Sequence, residues 1–102
     1  MSGKYILNGH VPELCEHVIA WADWFEKADR HVASDEIGGV KISTVFLGLD
    51  HSFGIGPPLL FETMILGGEH DGEQWQCTTW EEAERQHHRA VELVKKSQEE
   101  PK

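Results

Sequence analysis

Two acid–histidine pairs, Asp50-His51 and His70-Asp71, stand on either side of Glu62 in a chain of 102 residues. A carboxylate beside an imidazole can hold a metal ion or move a proton, so the first question is whether these groups can meet. Seven histidines and two cysteines widen the pool of ligands to His10, Cys15, His17 and Cys77. The spacings argue against a metal centre. No CxxC or HExxH appears, and no pair has the separation of a zinc knuckle. No metal site and no cofactor are therefore expected.

Nucleophilic chemistry has candidates in Ser43, Thr44, Ser52 and Thr63, but none sits in a GxSxG elbow. Ser52 follows His51 directly, and adjacency in sequence is not the geometry of a triad. Glu62 interrupts an apolar run, where a carboxylate could serve as a raised-pKa acid. Strand alternation gives the simpler account: Glu62 and Met64 point to an open sheet face. The segment Gly54-Ile55-Gly56-Pro57-Pro58 lacks the spacing and the following helix of a phosphate loop, and reads as a wide hairpin loop. His87 reads as a structural histidine in a buried helix stripe. Phe53 and Ile55, at the tip of that loop, either fold back over the core or face a partner. Of the four tryptophans, Trp21 and Trp80 read as core, and Trp24 and Trp75 as interface anchors.

Positioning these groups requires elements. Residues 4–7 are a short strand candidate, followed by a turn at Asn8-Gly9-His10. Pro12 suits the first turn of a helix. Leu14, Val18, Trp21, Phe25, Ala28 and Val32 follow at spacings of four and three, which predicts one helix over 13–32, about 30 Å long at 1.5 Å per residue. Gly38-Gly39 ends that region. Strands are predicted over 40–49, 59–66 and 73–78 from their β-branched and aromatic content and from the Asp71-Gly72 turn signal. Thr79 and Glu82 form a capping box for a last helix whose buried stripe is Ala83, His87, Ala90, Val91 and Val94. In such a meander, the loops after residues 49 and 66 lie at opposite ends of the middle strand. They are roughly 25 Å apart at 3.3 Å per residue, so the two acid–histidine pairs cannot share a site. The expected fold is α+β and two-layered. A three- to four-stranded, mainly antiparallel sheet carries two helices on one face, in the order β-α-β-β-β-α. One domain spans 1–97, and 98–102 read as a disordered tail.

The formal net charge of −9 makes nucleic acid a poor direct partner and a basic protein, such as a nucleic-acid-binding one, the better electrostatic match. No segment is apolar enough to span a membrane, and no membrane partner is expected. With no secretion signal, Cys15 and Cys77 read as reduced thiols of a cytoplasmic protein.

The central block STVFLGLDHSFG…PPLLFETM resembles a group of small phage and prophage proteins. The resemblance extends to WADWFE in the first helix and TWEEAERQHHRAV in the last. It implies a phage-borne accessory role in a bacterial cytoplasm and carries no catalytic residue with it. The expected function is to bind and inhibit a host protein, most specifically as a counter-defence inhibitor of the anti-CRISPR kind. Asp50, His51, Phe53, Ile55, Trp24 and Trp75 are the expected partner-binding residues. Two other classes remain open: an oligomeric sponge for a nucleotide immune signal, and a small metal-dependent enzyme using His51 or His70.

Overall fold

The structure, a computed structural model, describes residues 3–99. It opens on a hairpin of β1 (Tyr5–Asn8) and β2 (Val11–Leu14), followed by α1 (Val18–Lys27). A four-stranded antiparallel meander then runs β3 (His31–Ile37), β4 (Val40–Phe46), β5 (Phe61–Leu66) and β6 (Gln74–Cys77), in that spatial order. The 20-residue α2 (Trp80–Glu99) closes the chain. The fold is thus α+β with antiparallel sheets, as the sequence predicts.

Alternation decides what each strand buries. Val40, Ile42, Thr44 and Phe46 of β4 point to one face and are buried, as are Phe61, Thr63 and Ile65 of β5. Helix α2 lies over that face with Ala83, His87, Ala90 and Val94 turned inward. The opposite face carries Glu62 and Met64, paired across from Val45 and Ser43, and Glu62 accepts a hydrogen bond from Gln76 Nε2 at 3.0 Å. Glu62 is therefore the open-face residue that alternation predicts. The capping box also forms: Glu82 N donates to Thr79 Oγ1 and Thr79 N to Glu82 Oε1, both at 3.1 Å.

The core comes in layers. Ile42, Ile65, Ala90 and Val94 form one apolar group with Val40, and Phe46, Phe61 and Ala83 form another with Leu60 and Cys77. Between them, at the inward-facing position of each element that separates the two groups, lie Thr44, Thr63 and His87. Each apolar layer gains from burial at about 25 cal/mol per Å². The polar layer is tolerable only because its groups bond to one another.

The N-terminal third departs from expectation. Pro12 lies in β2, opposite Leu7, rather than in a helix. A proline without an N–H is accommodated on an edge strand, and β2 is one. The helix expected over 13–32 is confined to Val18–Lys27. Leu14 and Val18, both assigned to its buried stripe, are 56% and 54% exposed. Two local hydrogen bonds set the limits. His17 Nδ1 accepts from Ala20 N and caps the start. Asp29 Oδ1 accepts from His31 N, offering the chain a turn in place of another helical residue. The strand His31–Ile37 then follows, overlapping the expected helix only at residues 31 and 32 and filling a stretch with no expected element. Gly38 and Gly39, both at positive φ, turn it directly into β4 through the Ile37↔Val40 pair. Two consecutive residues with φ > 0 are what a tight hairpin of this twist requires.

The element order is therefore ββαββββα, not β-α-β-β-β-α. Only α2 covers the sheet. Helix α1 rests on β1 and reaches the covered face through Trp24, whose ring meets Phe46 edge-on at 5.8 Å. Helix α2 also continues through Glu99, with Gln98 Nε2 donating to Ile37 O at 2.7 Å, so residues 98 and 99 of the expected tail belong to the helix. Residues 100–102 of that tail lie outside the described residues.

Candidate functional site

The β4–β5 connection is built on Asp50. Its Oδ1 accepts from Ser52 N at 2.8 Å and from Leu59 N at 3.0 Å, so one carboxylate oxygen ties the loop's outgoing and returning arms together. Leu47 N to Leu60 O and His51 N to Leu59 O complete the neck. The Ser52 backbone N–H above all, with Leu59 N–H assisting, holds the Asp50 carboxyl below the ordinary carboxylate range. The residues leading into β1 brace the neck from the other side. Lys4 pairs with Leu49, and Asp50 N donates to Gly3 O at 3.0 Å. Ser52 is buried beneath the loop, and its Oγ has no hydrogen-bond partner among the described residues.

Past the neck, Ile55 N donates to Ser52 O and turns the tip. Phe53 and Ile55 are 88% and 82% exposed. Phe53 is also the one non-glycine residue at positive φ among the described residues, at 56°. A bulky residue in that region costs on the order of 1–3 kcal/mol and persists where the surroundings over-determine it. The Asp50 clamp supplies that constraint. The tip is thus a held conformation that presents two bare apolar side chains to solvent. His51 is exposed at its base.

Of the six expected partner-binding residues, the loop brings together Asp50, His51, Phe53 and Ile55. Trp24 is placed elsewhere: its ring packs on Phe46 in the core, so packing accounts for it. Trp75 stands on β6, the outer strand of the sheet, facing α2.

The second acid–histidine pair is used locally, at the other end of β5. Asp71 Oδ1 accepts from Gly67 N at 2.6 Å, and His70 Nδ1 bonds to Glu73. The remaining ligand candidates are dispersed as well. The His10 ring stacks on Trp80 at 3.8 Å, His17 caps α1, and Cys77 is buried with its thiol pushed up to about 11, chiefly by that burial. Among the described residues, no three His, Cys, Asp or Glu side chains gather into a metal-binding group.

One constellation was not anticipated. His87 Nδ1 lies 2.7 Å from Thr44 Oγ1, His87 Nε2 lies 2.7 Å from Asp35 Oδ2, and Thr44 Oγ1 lies 2.7 Å from Thr63 Oγ1. The connectivity Thr–His–Asp is that of a hydrolytic triad. Here the hydroxyl has no access to a substrate, because Thr44 and Thr63 are both 0% exposed and His87 only 5%. The chain is therefore a buried polar layer that aligns α2 on the sheet. The sequence holds half of the signal, since Thr44 stands in phase with Ile42 and Phe46. It hides the other half, because Asp35 falls in β3, past the expected helix end at residue 32, in a stretch to which the sequence assigns no element.

Comparison with protein-family models, with curated proteins and with solved structures finds no match to this chain. Among the described residues, no helix is long and apolar enough to cross a membrane.

Proposed function

We propose that the chain is a non-enzymatic recognition protein that docks the tip of its 50–59 loop in an apolar pocket of a protein partner. The observation that carries this reading is the exposure of Phe53 and Ile55 on a loop pre-organised by Asp50. Pre-organisation removes the ordering cost that a mobile loop meets on binding, and aromatic side chains seated in pockets dominate binding energy. The net charge of −9 suits a basic partner surface. The sharper form of the proposal is a phage accessory protein that inhibits a host defence protein of the anti-CRISPR-target kind. It rests on the resemblance of the STVFLGLDHSFG…PPLLFETM block together with that charge.

The test is a plating assay in bacteria whose CRISPR defence restricts a phage, with the wild-type protein or Phe53→Ala supplied from a plasmid. Wild type should restore plaques. Phe53→Ala should abolish the rescue while its melting temperature changes little, because a side chain 88% exposed contributes little to the core. Full rescue by Phe53→Ala would sink the loop-docking reading. No rescue by wild type, with a partner still captured through Phe53, would sink the counter-defence setting and leave the docking loop standing.

A further inference from the structure

We propose a second binding site, separate from the loop. The groove between outer strand β6 and helix α2 takes an extended acidic peptide segment as a fifth strand of the sheet. Strand β6 is the free edge after β5. Alternate residues of an antiparallel strand turn both backbone groups to the same side. The Gln76 carbonyl turns outward, where Gln86 Nε2 of α2 reaches it at 3.1 Å. The Gln76 N–H and both backbone groups of Gln74 share that outward phase and, among the described residues, have no strand beside them. Such an edge, flanked by a helix, is the arrangement that accepts an added strand.

The groove also carries an unmet hydrogen bond. Gln86 Oε1 is buried and has no hydrogen-bond partner among the described residues. An incoming backbone N–H satisfies it, and a second can take the place of Gln86 Nε2 on the Gln76 carbonyl. The floor is apolar: Trp75, Ala90 and Leu93 line a cavity of about 330 Å3 with Gln86 and Arg89.

Charge selects the occupant. Arg85 and Arg89 border this groove from one side of α2 and are both exposed, beside Glu82, whose Oε1 is taken up by Thr78 N, Thr79 N and Thr79 Oγ1. Among the described residues neither makes a salt bridge, in a chain with 18 acidic residues against 9 basic ones. The two arginines lie four residues apart on the helix, a rise of about 6 Å. Two residues along an extended strand rise roughly 6.6–6.8 Å, so carboxylates at alternate positions of an added strand come level with both arginines. The cavity over Trp75 and Leu93 lies further along the groove and fits an apolar side chain two positions on. The recognised pattern is acidic-x-acidic-x-apolar in an extended segment. A second copy of this chain, pairing β6 with β6, would bring only the neutral strand Gln74–Cys77 and leave the arginines unmatched.

The test uses fluorescein-labelled ten-residue peptides in which valine alternates with Glu, Glu, Leu or with Gln, Gln, Leu, read by fluorescence anisotropy on the full chain. Backbone shifts by NMR locate the contact. The Glu peptide should bind saturably, at least tenfold more tightly than the Gln peptide, with shifts confined to 74–77 and 85–93. The double variant R85Q/R89Q should lose at least tenfold while melting like wild type, because both side chains are exposed. N-methylation of alternate peptide amides should abolish binding, and Phe53→Ala should leave it intact. Equal affinity for the two peptides, no saturable binding by either, or indifference to R85Q/R89Q overturns the proposal. So does sedimentation as a dimer with β6 protected from exchange, which assigns the edge to a second copy. Saturable ATP binding at Trp75 without peptide binding assigns the groove to a nucleotide and overturns it equally.

Discussion

Thr44→Val tests the buried polar layer, because valine keeps the shape of threonine and removes only the hydroxyl. The proton inventory sets the expectation. The Asp35 carboxylate only accepts, so His87 Nε2 carries a hydrogen, and in the neutral imidazole Nδ1 accepts from Thr44. The Thr44 oxygen in turn accepts from Thr63. Removing the Thr44 hydroxyl strands two buried groups, His87 Nδ1 and Thr63 Oγ1. An unsatisfied buried polar group costs about 1–3 kcal/mol, so the loss should be about 2–4 kcal/mol after partial relaxation. Thr63→Val is gentler. Thr44 keeps its bond to His87 and forfeits one accepted bond, a loss of about 1 kcal/mol. The double variant should recover part of the Thr44→Val loss, since Thr63 no longer has a hydroxyl to strand. Urea unfolding of the four proteins reads all of this, with unchanged slopes confirming an unchanged unfolded state. The expected order of stability is wild type, then Thr63→Val, then the double variant, then Thr44→Val. Additive losses, or a Thr63→Val loss as large as that of Thr44→Val, would show that the three groups are not one chain.

Three other outcomes are expected. Gly48→Ala should lower stability by about 2 kcal/mol or more, because φ is +77° there and a Cβ would stand 2.8 Å from Phe25 Cε1, while the Gly48 carbonyl anchors Trp21 Nε1; a thermal melt equal to wild type would refute this docking of α1. Only Cys15 should react quickly with a disulfide reagent at pH 8, since burial raises the Cys77 thiol to about 11, and two fast thiols per chain would contradict the packing around Cys77. Asp50 and Glu82 are both held below the ordinary carboxylate range, chiefly by backbone N–H groups of Ser52 and Thr79 respectively. A depressed folded value means that their stabilising share is complete above the unfolded value of about 4 and is lost as pH falls through the folded one. Melting temperature should therefore drop below pH 4 less steeply in Asp50→Asn than in wild type, and parallel curves would exclude Asp50 as the loop clamp.

How much of this could be read from the residues depends on how local each signal is. The capping box of α2, the Asp50 turn and the exposed loop tip are encoded within a few positions, and each lies where its residue types indicate. The sheet strands after residue 40 follow from alternation alone. The first helix misleads because its apolar stripe continues into residues that belong to other elements. With Leu14 in β2 and Val32 in β3, the inward face that remains is Trp21, Trp24, Phe25 and Ala28. That is the i, i+3, i+4, i+7 pattern of a short helix, with Trp24 at its centre rather than at its margin. The two hydrogen bonds that end the helix, from Ala20 N to His17 and from His31 N to Asp29, compete with helical ones at an energy close to theirs. Periodicity carries no trace of such a competition.

Trp75 shows why a surface can be harder to read than a fold. Its phase on β6 follows from alternation, and so does its burial against α2. Its position at the free edge does not. That depends on β3 having paired with the far side of β4, which leaves β6 as the outer strand, and β3 is the strand that the sequence reading missed. A meander of three strands would have left both β4 and β6 as edges, with nothing to single out one of them. With β3 in place, the far edge sets Asp35 against His87 and its Ile37 carbonyl accepts from Gln98 Nε2, while Glu36 stands across from Lys41 of β4 on the face away from α2. Among the described residues the near edge has the Gln86 amide beside it, with Nε2 bonded to the Gln76 carbonyl and Oε1 not bonded. Recognition along β6 is therefore a consequence of long-range strand order, and it becomes visible only after the order is known.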